Sequence, residues 1–373
     1  MKITDVEAIW VSLSEMKLIA DSTQQAVIVR IKTDEGIEGI GETHTAPYVI
    51  KAIIETDSSG IVAQGIRSLL IGENPLDIER LWHKMYYFTS RFGRRGAVLN
   101  AISAVDIALW DLLGKYTGLP VSTLLGGRFR EEVSAYASVL MPDTPEEARD
   151  LALEIKAQGF QAAKFGWETL GSDLVADRKR VEAIRKAVGS GFAVMIDIGY
   201  GLEVRHAIRL ARILEEYDIA FLEEPLSPDN LAGFACLSAA TTVPIATGEK
   251  ETTRFGFLEL MERGKVSIIQ PDIARAGGLT EVKKIALLAD LKGVELIPHC
   301  WSNDILVAAT VHFIAARPAH CYLEYCLLDN PIRRELIKEP LSAVNGKVSV
   351  PKRPGLGIEL NEEVLAKLTI TQF

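Results

Sequence analysis

MIDIGYG at residues 195–201, FLEEP at 221–225 and ATGEKE at 246–251 each carry an acid, Asp197, Glu223 and Glu249, at the end of a short apolar run. The runs (FAVMI, IAFL and VPIAT) are rich in β-branched and aromatic residues, and helical periodicity follows each, so each acid ends a strand. The acids are 26 residues apart in both intervals, about one strand, one helix and two loops. Consecutive parallel strands would hold all three at one end of one sheet. Three converging carboxylates repel one another unless a hard cation lies between them, so the pattern implies Mg²⁺, held octahedrally with water and substrate oxygens. A single acid after a strand is most often a helix cap, but caps need no equal spacing.

Working outward, strands and helices alternate after Glu132, with eight strand candidates: VSAYASV, AAKFG, FAVMID, IAFLEE, PIATGE, VSIIQPD, VELIPHC and CYLEYC. Amphipathic stretches such as TPEEARDLALEIKAQ lie between them. The pattern predicts an α/β fold, a (β/α)₈-type barrel with its chemistry at the strand C-termini. An open doubly wound sheet is the rival, but no GxGxxG follows the early strands. Before this region come three strand-like runs, ITDVEAIWV, AVIVRIKT and IEGIGET, and then a helical region whose last helix spans about Ala97 to Tyr116. That order suits an N-terminal α+β domain with an antiparallel meander. The expected division is a capping domain at 1–128, the barrel at 129–328 and a C-terminal segment at 329–373 that returns to the capping domain.

A chain of 373 residues accommodates a barrel plus a smaller domain. Its net charge of −9, with 41 basic and 50 acidic residues, argues against nucleic acid or an anionic membrane as partner. It leaves room for an anionic substrate, which needs only local positive charge. Cys236, Cys300, Cys321 and Cys326 form no CxxC pair, as suits a reducing compartment. The first residues lack the unbroken apolar core of a signal peptide, and Asp106 and Asp111 interrupt the most apolar helix. The expectation is a soluble cytoplasmic protein.

Two further residues are placed for proton chemistry. Asp272 ends VSIIQPD and His299 follows it by 27 residues in VELIPHC, one unit later. A carboxylate bonded to one ring nitrogen fixes the tautomer and raises the basicity of the other, as a general base requires.

These motifs, in this order, resemble the enolase superfamily and within it the mandelate racemase subgroup (mandelate racemase/muconate lactonizing enzyme family). The helix signature AISAVDIALWDLLGKYTGLPVSTLLGG and nearly the whole chain share in the resemblance. It implies that Asp197, Glu223 and Glu249 bind Mg²⁺, that Glu224 supports them from the other side of its strand, and that the His299/Asp272 dyad moves the proton α to a carboxylate. In AAKFG the family's Lys-x-Lys becomes Lys164-Phe165-Gly166, so the second lysine, usually the base on the opposite substrate face, is missing. Lys164 then resembles a partner of the substrate carboxylate, and Gly166 leaves room for Trp167 or a bulky substrate. Gly199 stands where the family often has Asn. Glu324 matches an acid beside the substrate carboxylate and is expected as a protonated donor to the enediolate. Lys250 and Arg275 could bind a hydroxyl or a second acid group. Thr43, Thr45 and the loop Glu15 to Thr23 match the capping loops that select substrate, and the resemblance implies a homo-oligomer.

The function implied is a Mg²⁺-dependent dehydratase (hydro-lyase) of a sugar acid, aldonate or aldarate, that removes the α proton and expels the β hydroxyl to give a 2-keto-3-deoxy acid. A racemase or epimerase is the alternative and normally wants a base on each face. A cycloisomerase ranks lower, because lactonizing relatives carry a lysine after the sixth strand where this chain has Asp272-Ile273-Ala274-Arg275. A silent binding barrel is disfavoured by five intact polar positions.

Overall fold

The computed structural model describes residues 1–371 apart from 18, 20, 168, 169 and 200. Leu18 and Ala20 of the capping loop, Glu168 after Trp167 and Tyr200 of the MIDIGYG motif therefore lie outside the described residues.

β1 (Ile3–Ser12), β2 (Gln25–Thr33) and β3 (Glu38–Thr43) form an antiparallel sheet in chain order. One face, with Val6, Ala8, Val27, Val29 and Ile31, packs on the helix Ala97–Thr117. The approach is close because β3 carries glycines there: a Cβ on Gly41 would lie 2.0 Å from the Ala104 carbonyl oxygen. By length and composition that helix could cross a membrane, but 83% of its most apolar window is buried in protein, as suits a core helix.

The eight expected barrel strands are all present: β4 (Glu132–Leu140), β5 (Ala162–Gly166), β6 (Ala193–Asp197), β7 (Ile219–Glu223), β8 (Ile245–Thr247), β9 (Ile268–Ile269), β10 (Glu295–Leu296) and β11 (Leu323–Cys326). They pair in parallel in the order β10-β9-β8-β7-β6-β5-β4-β11, a curled sheet with its seam between β10 and β11. Helices of 7 to 15 residues follow the other strands on the outside, while β11 is followed by the four-residue helix Pro331–Arg334. Inside the curl, Tyr136, Ala162, Met195, Phe221, Ala246, Ile268 and Ile297 make an apolar layer. Because strand side chains alternate, the residues two positions on, Ser138, Lys164, Asp197 and Glu223, stand directly above that layer.

The C-terminal stretch touches both parts. β12 (Lys347–Ser349) adds antiparallel to β4, while Gly355 bridges Pro120 and Thr369 bridges Val11 of β1. His312, in the helix Asp304–Ala315, is fully enclosed at this junction. Its Nδ1 accepts the Ser122 amide at 3.2 Å and its Nε2 pairs with the Leu356 carbonyl at 3.1 Å, which requires the neutral Nε2–H tautomer. Burial pushes its pKa down to about 4. The folded state therefore binds this proton less readily than the unfolded chain. Its contribution is complete above the ordinary His pKa and is lost as pH falls from about 6.5 to about 4, by about 3 kcal/mol in all. Unfolding by urea at pH 7 and pH 4.5 should show a smaller loss on acidification for His312→Gln than for the unchanged protein.

Candidate active site

Strand register sets the heights of the site residues. Asp197 lies between Gly166 and Glu223 in the ladder, so the first two acids stand side by side. Glu223 pairs with Ala246, which places Glu249 three residues further on, in the loop beyond β8. Equal sequence spacing thus did not mean equal height. Glu295 and Leu296 pair with Ile268 and Ile269, so Asp272 and His299, each three residues past its strand, come level.

Lys164 is the hub of the inner layer. Its Nζ donates to Glu223 Oε1 at 2.7 Å and lies 2.8 Å from Glu324 Oε1 and 3.4 Å from Asp197 Oδ2. Burial alone would lower its pKa, but Glu223, Glu324, Tyr136 and Asp197 outweigh it and hold the ammonium well above its ordinary range. Glu223 also accepts from Gln270 Nε2 at 2.7 Å, and burial, reinforced by Asp197, raises its pKa to about 8. Burial raises Asp197 to about 6 against the pull of Lys164.

Glu324, expected beside the substrate carboxylate, lines the cavity next to Lys164. It accepts from Ser138 Oγ and from the Cys300 amide, both at 2.8 Å, as well as facing Lys164. Burial would raise its pKa, yet Lys164, His299 and the Cys300 amide more than offset this and keep it below the ordinary value. As it lies, both of its carboxyl oxygens accept hydrogen bonds. Gly166 and Trp167 both line the cavity, with Asp197 close beside Gly166. A Cβ there would meet Asp197 Cβ at 2.8 Å, while the Trp167 ring lies over Gly199, whose own Cβ would meet it at 2.7 Å. Gly199 is required by that tryptophan.

The dyad forms. His299 Nδ1 and Asp272 Oδ2 are 2.6 Å apart, and Asp272 Oδ1 accepts the Ala274 amide at 2.7 Å. His299 Nε2 lies 3.1 Å from Glu249 Oε2. Burial would lower the imidazole pKa, but Glu249, Glu324 and Asp272 together raise it to about 10. Glu249 is also held by Lys250 at 2.9 Å, and Lys250 donates to Glu224 Oε2 at 2.9 Å and to the Gly199 carbonyl at 3.0 Å. Glu224 accepts further from Thr247 Oγ1 and the Gly248 amide, so its carboxylate braces the loop that carries Glu249.

As the side chains lie, no three acidic, His or Cys groups among the described residues stand close enough to hold an ion. Lys164 is drawn between Asp197 and Glu223, and His299 pairs with Glu249. The donor set itself fits a hard cation: three carboxylates on successive strand ends, all oxygen, with Glu223 and Asp197 raised by burial and so readily ionised by a cation.

Four contributors went unseen in the sequence. Gln270, just past β9, bonds Glu223; Ser138 bonds Glu324; Trp301 lines the cavity; and His44, between the two threonines singled out in the capping domain, takes Arg275 Nε on its Nε2 at 3.0 Å. Arg275 in turn lies 3.6 Å from Asp272 Oδ2. Thr43 donates to the Ala274 carbonyl at 2.8 Å. The capping strand β3 therefore ends directly on the loop that carries Asp272. A cavity of about 450 Å³ opens on Lys164, Asp197, Glu249, His299 and Glu324, with Thr45, Asp21 and Ile19 on its capping side.

The Mandelate racemase / muconate lactonizing enzyme N-terminal domain matches residues 4–126, and the Enolase C-terminal domain-like family matches residues 147–364. D-galactarolactone cycloisomerase of Agrobacterium fabrum is 36% identical over 353 residues, 91% of this chain and 90% of that protein. L-rhamnonate dehydratase of Saccharopolyspora erythraea is 36% identical over 348 residues, 91% of this chain and 84% of that protein. The crystal structure of 3,6-anhydro-D-galactonate cycloisomerase from Zobellia galactanivorans superposes with a TM-score of 0.90 at 36% identity, covering 100% of both chains. With both domains matched in tandem and relatives aligned along nine-tenths of its length, the chain belongs to the mandelate racemase/muconate lactonizing enzyme family of the enolase superfamily.

Proposed function

We propose that the protein is an acid-sugar hydro-lyase that removes the proton α to a carboxylate and expels the β hydroxyl, giving a 2-keto-3-deoxy acid. The observation that carries this is the His299–Asp272 pair at 2.6 Å opening on the cavity, with Gly166 in place of a second lysine. Asp272 holds the Nδ1 proton and so directs Nε2 at the substrate. Mg²⁺ held by Asp197, Glu223 and Glu249 would supply positive charge beside the substrate carboxylate as negative charge grows there. Were Glu249 held by that cation, its pull on His299 would lapse, leaving Nε2 to take the α proton. Lys164, held at the barrel floor, adds positive charge on the same side. The imidazolium then protonates the departing hydroxyl when the two groups lie syn.

A second reading shares the first step. The 36% identity to two proteins named as cycloisomerases, of a lactone and of an anhydro sugar acid, favours an isomerisation with no net loss of water. Racemisation is supported less, because the position of the second base faces Asp197. Screening acid sugars and their lactones with Mg²⁺ separates the three. The hydro-lyase gives a 2-keto acid lighter by one water, and a cycloisomerase gives one of unchanged mass. Inversion with deuterium uptake from D₂O and no 2-keto acid would instead identify an epimerase.

A further inference from the structure

Residues 297–303 lead from β10 into the helix Asp304–Ala315 and belong to no helix or strand. This stretch carries His299, so whatever fixes its backbone fixes the base. Among the described residues, the backbone of 298–302 makes two hydrogen bonds. From inside the barrel, Glu324 Oε2 accepts the Cys300 amide at 2.8 Å. From the other side, Arg333 Nη1 donates to the Ser302 carbonyl.

Arg333 belongs to the four-residue helix after β11, where Asn330 Oδ1 accepts its amide at 3.1 Å and sets the start of its side chain. That side chain is wholly enclosed, with its Cζ 5.3 Å from the centre of the Tyr325 ring. Tyr325 follows Glu324 on β11 and so faces away from it, on the outer side of the strand. Among the described residues, Arg333 Nε and Nη2 have no hydrogen-bonding partner. Burial pushes the Cys300 thiol well above its ordinary range and Asp304 up to about 6, and Arg333 pulls against both, so its charge is felt at each end of the stretch. Taking a cation out of water with so few partners is far more costly than enclosing an apolar side chain of the same size. Its hydrogen bond goes to a backbone carbonyl three residues past the base, on a stretch with a single other tether. This contact involves none of the three carboxylates assigned to Mg²⁺.

We propose that Arg333 is a positioning residue for proton transfer: acting through the Ser302 carbonyl, it holds residues 299–302 so that His299 faces the substrate. The proposal rests on the reading of His299 as the base, and not on which group leaves the substrate.

Arg333→Met keeps an apolar stem against Tyr325 and removes the donor. In hydrogen–deuterium exchange, the amides of 299–303 should exchange about tenfold or more faster than in the unchanged protein, while those of β5 keep their rate. With Mg²⁺ and the acid sugar turned over best in the screen, kcat should fall about 10- to 10²-fold and KM change less than about threefold, because a misplaced base slows the chemistry without removing a binding contact. Arg333→Lys, which keeps a cationic donor, should lose less. In a His299→Asn background there is no imidazole to place, so Arg333→Met should lower turnover by less than about threefold more, whereas a looser fold would cost as much there as in the unchanged protein. Unchanged amide exchange at 299–303, a loss carried by KM, a loss as large in Arg333→Lys as in Arg333→Met, or one that persists in full beside His299→Asn overturns the proposal. If His299→Asn itself keeps full turnover, the assignment of the base fails and the proposal with it. If His299→Asn loses turnover and Arg333→Met does not, only the proposal fails. If no acid sugar is turned over, the acid-sugar reading fails, and amide exchange at 299–303 alone upholds or overturns the hold of Arg333 on the loop.

Discussion

His299→Asn should lower turnover by about 10²- to 10⁴-fold while substrate affinity is largely kept, because it removes a proton-transfer group and leaves the cavity walls in place. The effect should appear equally in exchange of the α proton with D₂O. Asp272 contacts the ring at 2.6 Å, and the Asp272 carboxylate still has the Ala274 amide and nearby Arg275 as partners in the variant, so the fold should survive. If His299→Asn retains full activity and Lys164→Met abolishes α-proton exchange, Lys164 is the base.

The second large effect is on stability. Lys164→Met removes the one ammonium facing three carboxyl groups that are nearly or wholly enclosed, Asp197, Glu223 and Glu324. Breaking a buried ion pair by deleting one partner typically costs about 3–5 kcal/mol, because the charges left behind are neither solvated nor paired. The variant should unfold at lower denaturant, and adding Mg²⁺ should raise its midpoint by more than it raises that of the unchanged protein. An unchanged midpoint without Mg²⁺ would mean that the carboxylates are neutralised in some other way.

The sequence made legible what depends on strand ends and their order. Eight strands, the positions of Asp197 and Glu223, and the level pairing of Asp272 with His299 follow from short apolar runs repeating at the length of one strand–helix unit, and the meander follows from three such runs without helices between them. Features set by contacts between distant segments were not legible. The partners of Glu324 are Ser138, Lys164 and the amide of Cys300, each from another segment, and the close approach at Gly166 comes from Asp197 one strand away. His44 was passed over because its partner, Arg275, is 231 residues distant. VSIIQPD and VELIPHC read as full strands but form ladders of only two residues, and the chain leaves the sheet three residues before Asp272 and His299.

The bridge between Val11 and Thr369, and the bidentate pair of Arg30 with Glu362 at 2.6 and 2.9 Å, join segments more than 330 residues apart. During synthesis at about 5–20 residues per second, β1 emerges roughly 20–70 s before the segment that covers it. Contacts of such separation form late, since loop closure must precede any gain from them. The meander with its long apolar helix must therefore persist as an incomplete unit while the barrel is made, its edge open to wrong partners. The first strands made, β1 and β2, thus meet Thr369 and Glu362 only after the barrel has been synthesised.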